Sequence, residues 1–254
     1  MDVRMRRFVS IGMAVVAMMA VGVPTTQAAA PSQLCLTPGA GVVPVTDRCA
    51  NRSYGEWAAA FWKYALAAPA PSNPLSDPTG ANCQVGQAGP VFFLPGTFDG
   101  SSADRPDCVV PAGKAIFFPV INIIDVSTPP GFCIRIADLA NAGAICDAES
   151  PDKLRADIKP VEDSATGLVA TIDGVTASPD LAKFRVQSPA FSVFLPDNNL
   201  FGVLPRQAYM AVADGYYIML APLSPGQHTI HFGGATPRTG FTQDNTYTLQ
   251  VAAQ

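Results

Sequence analysis

The sequence lacks the short motifs that mark the commonest enzyme chemistries. It contains no Gly-x-Ser-x-Gly nucleophile elbow, no phosphate-binding loop and no dinucleotide fingerprint. Charged residues make up only 14% of the chain, and there are only two histidines. These absences argue against a nucleotide-dependent enzyme and against a serine hydrolase built on a nucleophile elbow, and no motif points to a specific reaction.

Beyond its first residues, the chain also lacks a long apolar segment. The amino terminus carries three arginines, then an apolar run from Phe8 to Val23, then small residues up to Ala30. This order predicts a secretory signal peptide at residues 1–30, cleaved after Ala28 or Ala30. A membrane anchor is disfavoured, because the apolar run is shorter than the ~20 residues that cross a bilayer. We therefore expect a secreted protein, either extracellular or periplasmic.

No cluster of Lys or Arg follows the signal peptide, and the expected mature chain is mildly acidic. Residues 1–28 carry a net charge of +2, so their removal changes the net charge from −4 to −6. Nucleic acids and anionic membranes bind to basic surfaces. We expect neither of them as a partner of the mature protein. No cofactor is predicted, and the sequence does not determine the oligomeric state.

Cysteine is absent from the last 108 residues, and all six cysteines lie between positions 35 and 146. An even number of cysteines in an exported chain is typical of disulfides. Fifteen pairings are possible for six cysteines. We favour the sequential one, because each bridge then closes a short loop rich in Pro, Gly or Asp. The predicted bridges are Cys35–Cys49, Cys83–Cys108 and Cys133–Cys146.

Proline and glycine are abundant, with 24 and 21 residues, and this composition is typical of a loop-rich β protein. We predict a mainly β fold, an antiparallel β-sandwich of immunoglobulin-like or jelly-roll-like type with one packed helix, in a single domain over residues 31–254. A cysteine-bearing half (31–150) precedes a cysteine-free half (151–254). The predicted strands are Val91–Leu94, Ala115–Ile121, Leu168–Ile172, Phe184–Gln187, Phe191–Leu195, Tyr216–Leu220, Gln227–Phe232 and Thr246–Val251.

The stretch from Tyr216 to Phe232 is the clearest pattern in the chain. Two apolar runs flank a segment punctuated by Pro and Gly, which predicts a β-hairpin that frames the core. We expect a turn just before it, at Asp214-Gly215, and an exposed loop over residues 98–113. The last strand pair resembles the closing hairpin of immunoglobulin-like modules, an architecture that implies no activity by itself.

Two helices are predicted. Ser53-Tyr54-Gly55-Glu56 has the form of a capping box, and Pro69 stops helical geometry, so a helix should span Tyr54 to Ala67. Its aromatic residues suit either sugar stacking or core packing, and core packing is favoured because so apolar a helix must bury most of its surface. These residues are Trp57, Phe61, Trp62 and Tyr64. Ser150-Pro151-Asp152 begins a second, charged helix that Pro160 should end.

The candidates for chemistry are few. No Cys-x-x-Cys spacing occurs, and His228 and His231 should point to opposite faces of a strand, so no metal site is predicted. His228 lies on the apolar face and His231 on the polar face. A hydrolase of the glycosidase type needs two carboxylates within reach of each other. The candidate catalytic residues, chosen for acids beside apolar or aromatic segments and for the polar-face histidine, are Glu56, Asp125, Asp214 and His231.

The favoured hypothesis is a secreted β-sandwich that binds an extracellular ligand, a glycan or cell-envelope polymer, through loops and rim aromatics. Candidate ligand-binding residues are Asn198, Asn199, Phe201, Tyr209, Tyr216 and Tyr217. The first alternative is a secreted hydrolase that uses the acids above, which predicts that two of them share a pocket with Trp57 or Trp62. The second is a structural or adhesion protein without a small-ligand site.

Overall fold

The computed structural model describes residues 33–127, 134–135, 150–203 and 208–253. The predicted signal peptide and the predicted Cys133–Cys146 bridge lie outside these ranges. The other two predicted disulfides, Cys35–Cys49 and Cys83–Cys108, are confirmed. Disulfides are typical of proteins that work outside the cytosol. Within the ranges above, no helix is both long enough and apolar enough to cross a membrane.

Helix α1 spans Tyr54–Ala67, as predicted. The Ser53 hydroxyl accepts a hydrogen bond from the Glu56 amide at 3.3 Å, and the Glu56 carboxylate accepts one from the Ser53 amide at 2.7 Å. The capping box therefore satisfies two amides that the first helical turn leaves without partners. Trp57, Phe61, Trp62 and Tyr64 are all buried in the main core, as is Tyr54 at the start of the helix, which confirms that these rings pack rather than form an exposed platform.

Helix α2 spans Pro151–Glu162 and begins at the predicted cap, where the Ser150 hydroxyl accepts a hydrogen bond from the Lys153 amide. The prediction that Pro160 ends the helix is wrong, since Pro160 lies inside it. A proline in the last turn removes only one hydrogen bond, and the helix ends two residues later. The apolar side of α2 packs against Ile123 and Val212 of a sheet.

Eleven strands are described, and they form two sheets. The first sheet has the order β1-β3-β9-β7, with β4 also paired to β3 and β8 also paired to β9; the second has the order β2-β11-β10-β5-β6. The strands are β1 Val91–Phe93, β2 Ser102–Val110, β3 Ala115–Ser127, β4 Ile134–Arg135, β5 Thr166–Ile172, β6 Val175–Thr176, β7 Arg185–Gln187, β8 Phe191–Phe194, β9 Ala208–Leu220, β10 Gly226–Thr236 and β11 Phe241–Val251.

The fold is mainly β, as predicted, but its sheets are mixed rather than purely antiparallel. β1 pairs parallel to β3, and β2 pairs parallel to β11, whereas the other pairings are antiparallel. The two sheets contact each other through Phe118 of β3 and Phe232 of β10, whose ring centroids are 4.9 Å apart. Both sheets combine strands from before and after residue 150, so the cysteine-bearing and cysteine-free halves are interleaved.

The predicted hairpin between Tyr216 and Phe232 is wrong, although both of its strands exist. β9 pairs with β3, β7 and β8, and β10 pairs with β5 and β11, so the Pro-rich connection carries the chain from one sheet to the other. The prediction that the last two strands form a closing hairpin is confirmed. β10 and β11 pair antiparallel through eleven residue pairs, from Gly226 opposite Val251 to Thr236 opposite Phe241.

Two further predictions failed because tertiary pairing overrides local pattern. The loop expected over residues 98–113 contains β2, whose Ala103, Arg105, Cys108 and Val110 alternate into the interior while the strand pairs with β11. The turn expected at Asp214-Gly215 lies inside β9. Here Asp214 is buried with Arg185 as its partner, so a charged residue can occupy a central strand.

The outer edge of β3 is only partly covered. β1 pairs with residues 115–117, β4 pairs with residues 125–126, and between them no strand of the described chain pairs with this edge. The side-chain amide of Gln243, from β11, instead donates to the carbonyl oxygens of Pro119 and Val120, both at 3.0 Å. This gap in the sheet edge positions the pocket described next.

Candidate binding pocket

A pocket of about 310 Å³ opens at the gap in the β3 edge. Its walls come from α1, the loop after β1, β3, α2 and the turn between β10 and β11. Large apolar side chains form most of the wall: Phe61, Trp62, Leu75, Phe98, Ile123, Val161 and Phe241. Six polar side chains also line it: Thr97, Asp99, Asn122, Thr236, Thr239 and Gln243. Mostly apolar walls with a few polar groups are typical of small-ligand sites.

A buried arginine anchors the loop wall of the pocket. Arg105 is 1% exposed, and its guanidinium donates to the carbonyl oxygens of Asp77 at 2.8 Å, Pro95 at 2.6 Å and Gly96 at 3.1 Å. It also donates to the Tyr247 hydroxyl at 2.8 Å. Because Gly96 begins the pocket wall, these bonds hold that wall at a fixed distance from β2 and β11.

Gly96 and Gln243 close the base of the pocket by direct contact. A Cβ atom at Gly96 would lie 1.9 Å from Gln243 Oε1, so a larger residue here would have to displace the end of the Gln243 side chain. Gln243 is in turn held by its two bonds to the β3 edge. The loop after β1 and the β10–β11 hairpin are thereby in direct contact at the pocket.

Most polar groups of the wall already have partners. The Thr97 hydroxyl donates to the Ser101 carbonyl oxygen, and the Thr239 hydroxyl donates to the Thr236 carbonyl oxygen. Asp99 accepts from the Ser101 amide at 3.0 Å and from its hydroxyl at 2.6 Å. These bonds shape the wall and leave those hydroxyl protons unavailable to a ligand.

The indole N–H of Trp62 is the exception. Trp62 is only 4% exposed, and its Nε1 has no hydrogen-bond partner among the residues that the structure describes. A buried donor without a partner costs about 1 to 3 kcal/mol. This cost is recovered if an acceptor comes within reach of the indole, and Trp62 is one of the residues that line the pocket.

Asn122 and Tyr217 lie beside the indole. Asn122 Nδ2 donates to the Tyr217 hydroxyl at 3.2 Å. Burial raises the pKa of Tyr217 well above its usual value, and the nearby Asn122 amide and Trp62 indole offset only part of that increase, although the indole does not reach hydrogen-bond geometry. The phenol therefore stays protonated at physiological pH, and Asn122, which it contacts, lines the pocket.

Among the described residues that line the pocket, Asp99 has the only charged side chain. The hydroxyl and amide of Ser101 hold the pKa of this carboxyl below its usual value, so it is ionised at neutral pH. With one carboxylate and no cation, the pocket disfavours an anionic ligand. A neutral group that both donates and accepts hydrogen bonds fits its free polar atoms.

The predicted catalytic residues do not meet in this pocket. Asp125 and Asp214 lie on adjacent strands, but both are buried. Asp214 accepts from Arg185 at 3.0 and 2.9 Å and from Gln187 at 2.9 Å. Glu56 caps α1 and is bonded to Arg48 at 2.9 Å, and the Ser53 amide lowers the pKa of its carboxyl.

The two histidines point to opposite sides of β10, as expected, and each bonds a different acid. His231 Nε2 lies 2.7 Å from Asp244 Oδ1, and its side chain is 34% exposed. His228 Nδ1 lies 2.7 Å from Asp173 Oδ2. None of the four predicted catalytic residues lines the pocket that contains Trp62 or the shallower recess that contains Trp57, Arg52 and Lys63. In the described ranges, no group of three or more His, Cys, Asp or Glu is placed to hold a metal.

The predicted ligand-binding residues are mostly interior. Tyr209, Tyr216 and Tyr217 are buried, so their rings do not face solvent. Asn199 uses its side chain to close its own loop, donating to the carbonyl oxygens of Pro196 and Val203. Asn198 adopts a left-handed turn with φ 56°.

Two of these six residues, Phe201 and Tyr217, contact side chains that line the pocket. The ring of Phe201 lies 5.9 Å from that of Phe98, which lines the pocket. The Tyr217 hydroxyl holds Asn122, as described above.

No protein-family model, no curated protein and no solved structure matches this chain. The function must therefore be inferred from the geometry alone. The sequence reasoning missed the pocket because Gly96, Asn122 and Gln243 come from three distant segments, and it assigned Trp62 to core packing. Its ring does pack in the core, but Trp62 also lines the pocket and its N–H has no partner among the described residues.

Proposed function

We propose that this protein is an exported binding protein that holds one neutral sugar unit of an extracellular glycan or cell-envelope polymer in the pocket at the β3 edge. The supporting observation is Trp62, a residue that lines the pocket and whose buried indole N–H has no partner in the described chain. We also propose that the two sheets form the layers of a β-sandwich of immunoglobulin-like or jelly-roll-like type.

Sugar hydroxyls match the polar atoms that remain free in the wall. A hydroxyl oxygen accepts from the Trp62 indole, and a hydroxyl hydrogen is donated to the carbonyl oxygen of Asn122 or to the Asp99 carboxylate. The apolar C–H face of a pyranose ring packs against the aromatic side chains of Phe98 and Phe241. A volume of about 310 Å³ is at the lower end for small-ligand pockets and suits one unit of a longer chain.

The two tryptophans allow a direct test. Mature protein is titrated with neutral oligosaccharides while its tryptophan fluorescence is recorded, since Trp62 lies in the pocket and Trp57 lies elsewhere. The fluorescence of the Trp57→Phe variant should still respond, whereas the Trp62→Phe variant should lose the response. By calorimetry, Trp62→Phe should bind roughly tenfold more weakly, because one hydrogen bond of about 1.4 kcal/mol is lost.

Trp57→Phe is the matched control, because the Trp57 indole already donates to the Cys49 carbonyl oxygen at 3.0 Å. Retention of the protein on insoluble polysaccharides and peptidoglycan provides an independent measurement. The proposal is contradicted if no saccharide changes the fluorescence and the protein stays wholly in the supernatant, or if Trp62→Phe binds as tightly as the parent.

A second experiment tests the charge of the ligand. Acidic oligosaccharides should bind more weakly than neutral ones of the same length because of the Asp99 carboxylate. The Asp99→Asn variant should reduce that difference. Equal binding of neutral and acidic sugars by the parent protein would contradict the assignment of a neutral ligand.

A further inference from the structure

A serine, a histidine and an aspartate are hydrogen-bonded in series at the end of β10, away from the pocket. Ser224 lies in the connection between β9 and β10, His228 lies in β10, and Asp173 lies in the turn between β5 and β6. Ser224 Oγ is 3.2 Å from His228 Nε2, and His228 Nδ1 is 2.7 Å from Asp173 Oδ2. None of the three residues lines the pocket at the β3 edge.

The order of these contacts is the one that nucleophilic catalysis requires. The carboxylate holds the Nδ1 proton, so Nε2 is left as the base that faces the hydroxyl. The other histidine provides an internal comparison. His231 also bonds a carboxylate, that of Asp244 at 2.7 Å, but no hydroxyl of the described residues is bonded to its ring.

Asp173 is held in place by more than the histidine. Its amide donates to the Thr229 carbonyl oxygen at 2.8 Å, and its Oδ1 accepts from the Thr229 amide at 2.8 Å. Its backbone has φ 50° and that of Gly174 has φ 78°, as expected for the two-residue Asp-Gly turn that joins β5 to β6.

Ser224 is held by its neighbours in the chain. It lies between Pro222 and Pro225, two residues whose rings fix the backbone torsion φ and restrict the residue before them. The Ser224 carbonyl oxygen is 3.0 Å from His228 Nε2. When the ring carries both protons, this carbonyl accepts from Nε2 while Asp173 accepts from Nδ1, so both N–H groups of the imidazolium have partners.

We propose that Ser224, His228 and Asp173 form a nucleophilic site that transfers the acyl group of an ester to water. Ser224 Oγ bonds to the acyl carbon while its proton passes to His228 Nε2. The bond from the acyl carbon to the leaving oxygen breaks, and the departing alcohol takes that proton. Water then adds to the acyl-serine and gives a proton to Nε2; the acid leaves as Ser224 Oγ regains the proton.

The exposure of the site indicates the kind of substrate. The side chains of His228 and Asp173 are 14% and 48% exposed, and Ser224 is exposed as well. Such an open site suits a small acyl ester presented on the surface of a larger molecule rather than a small molecule enclosed in a cavity. The proposal does not depend on sugar binding in the pocket, which lies elsewhere.

The test uses mature protein, a fluorophosphonate probe that labels activated serines, and p-nitrophenyl acetate as a small ester. We expect the label on Ser224 by peptide mapping, and a labelling rate that rises with pH through one ionisation. Ser224→Ala should abolish labelling at this peptide. His228→Gln should lower the rate of probe labelling and the rate of p-nitrophenyl acetate hydrolysis at least a hundredfold, and should remove the rise of the labelling rate with pH. Asp173→Asn, which alters a positioning residue, should lower both rates at least tenfold and shift that rise to a different pH.

The matched controls are His231→Gln and Ser178→Ala. Ser178 lies after β6, and its hydroxyl bonds the Asp180 backbone rather than a histidine. Both variants should react as the parent does. Circular dichroism and thermal unfolding of each variant establish that loss of labelling is not loss of fold. The proposal is overturned if Ser224 is labelled no faster than Ser178, or if folded His228→Gln reacts at the parent rate.

Discussion

Arg105 and Glu162 are both ionisable residues buried inside the protein, and their surroundings are opposite. Every nitrogen of the Arg105 guanidinium donates to a carbonyl or hydroxyl oxygen, and the Tyr247 ring lies 5.0 Å below it. Glu162 is 0% exposed, and neither of its carboxyl oxygens has a partner among the described residues. The comparison teaches that burial alone does not decide whether a polar group stabilises the fold; the number of its partners does.

The pKa of Glu162 reflects this isolation. Burial raises it well above its usual value, the nearby Asp214 raises it further, and Arg185 offsets only part of the increase because Asp214 and Asp163 already bind that guanidinium. Glu162 is therefore a neutral acid over a pH range in which an exposed glutamate is ionised.

The largest loss of stability is expected when Arg105, the buried charge with many hydrogen-bond partners, is replaced. Arg105→Met leaves several buried carbonyl oxygens and the Tyr247 hydroxyl without a donor, and should lower the free energy of unfolding by about 3 to 5 kcal/mol. Urea denaturation measures this change in the free energy of unfolding. The exposed Arg238, whose substitution by Met should cost less than about 0.5 kcal/mol, is the control. Similar losses for the two variants would contradict the comparison.

The second effect concerns the disulfide that closes this region. Cys83–Cys108 encloses Pro95, Gly96 and Arg105, so replacing both cysteines by alanine should cost about 2 to 4 kcal/mol. A double-mutant cycle with Arg105→Met tests whether the bridge and the arginine stabilise the same loop. Strict additivity of the two losses would show that they act independently.

The third substitution, at Glu162, should stabilise the protein rather than destabilise it. A raised folded-state pKa means that the Glu162 contribution to stability is complete below about pH 4.5 and is lost as pH rises through the folded-state pKa. The Glu162→Gln variant has no carboxyl group to ionise. It should be more stable than the parent by about 1 to 2 kcal/mol at pH values above the folded-state pKa of Glu162. Unfolding free energies measured across pH test this. A variant less stable than the parent at alkaline pH would refute it.

The smallest effect concerns Glu56, an exposed carboxylate with partners. Its folded-state pKa is lowered, so its contribution is present above about pH 4.5 and is lost as pH falls through the folded-state pKa. Glu56→Gln weakens the capping box and should cost about 0.5 to 1 kcal/mol at neutral pH. The pH dependences of the Glu56 and Glu162 variants should therefore have opposite slopes, which the same measurements would reveal.

Much of the fold could be predicted because its signals are local. The capping box and Pro69 define α1, and apolar runs mark most strands. Partner choice is not local: nothing between Leu220 and Gly226 tells whether β9 and β10 pair or enter different sheets. β2 was missed because its burial depends on β11, which follows about 130 residues later.

The candidate sites were hidden for the same reason. Trp62 could be assigned to the core from its position on a helix, but its missing partner is visible only when the loop after β1 and the β10–β11 turn are in place. Ser224 and His228 are four residues apart, yet Asp173 lies 55 residues before the histidine. A pattern search for a nucleophile elbow does not detect that arrangement.

The gap in the β3 edge also bears on self-association. An uncovered strand edge with free amides and carbonyls is a template on which a second chain can add a strand and begin a fibre. Pro119 has no amide proton to offer there, and the Gln243 side chain occupies the acceptors of Pro119 and Val120. The groove proposed to hold a ligand is therefore poorly suited to a neighbouring backbone, because this part of the edge offers neither an amide at Pro119 nor free acceptors at Pro119 and Val120.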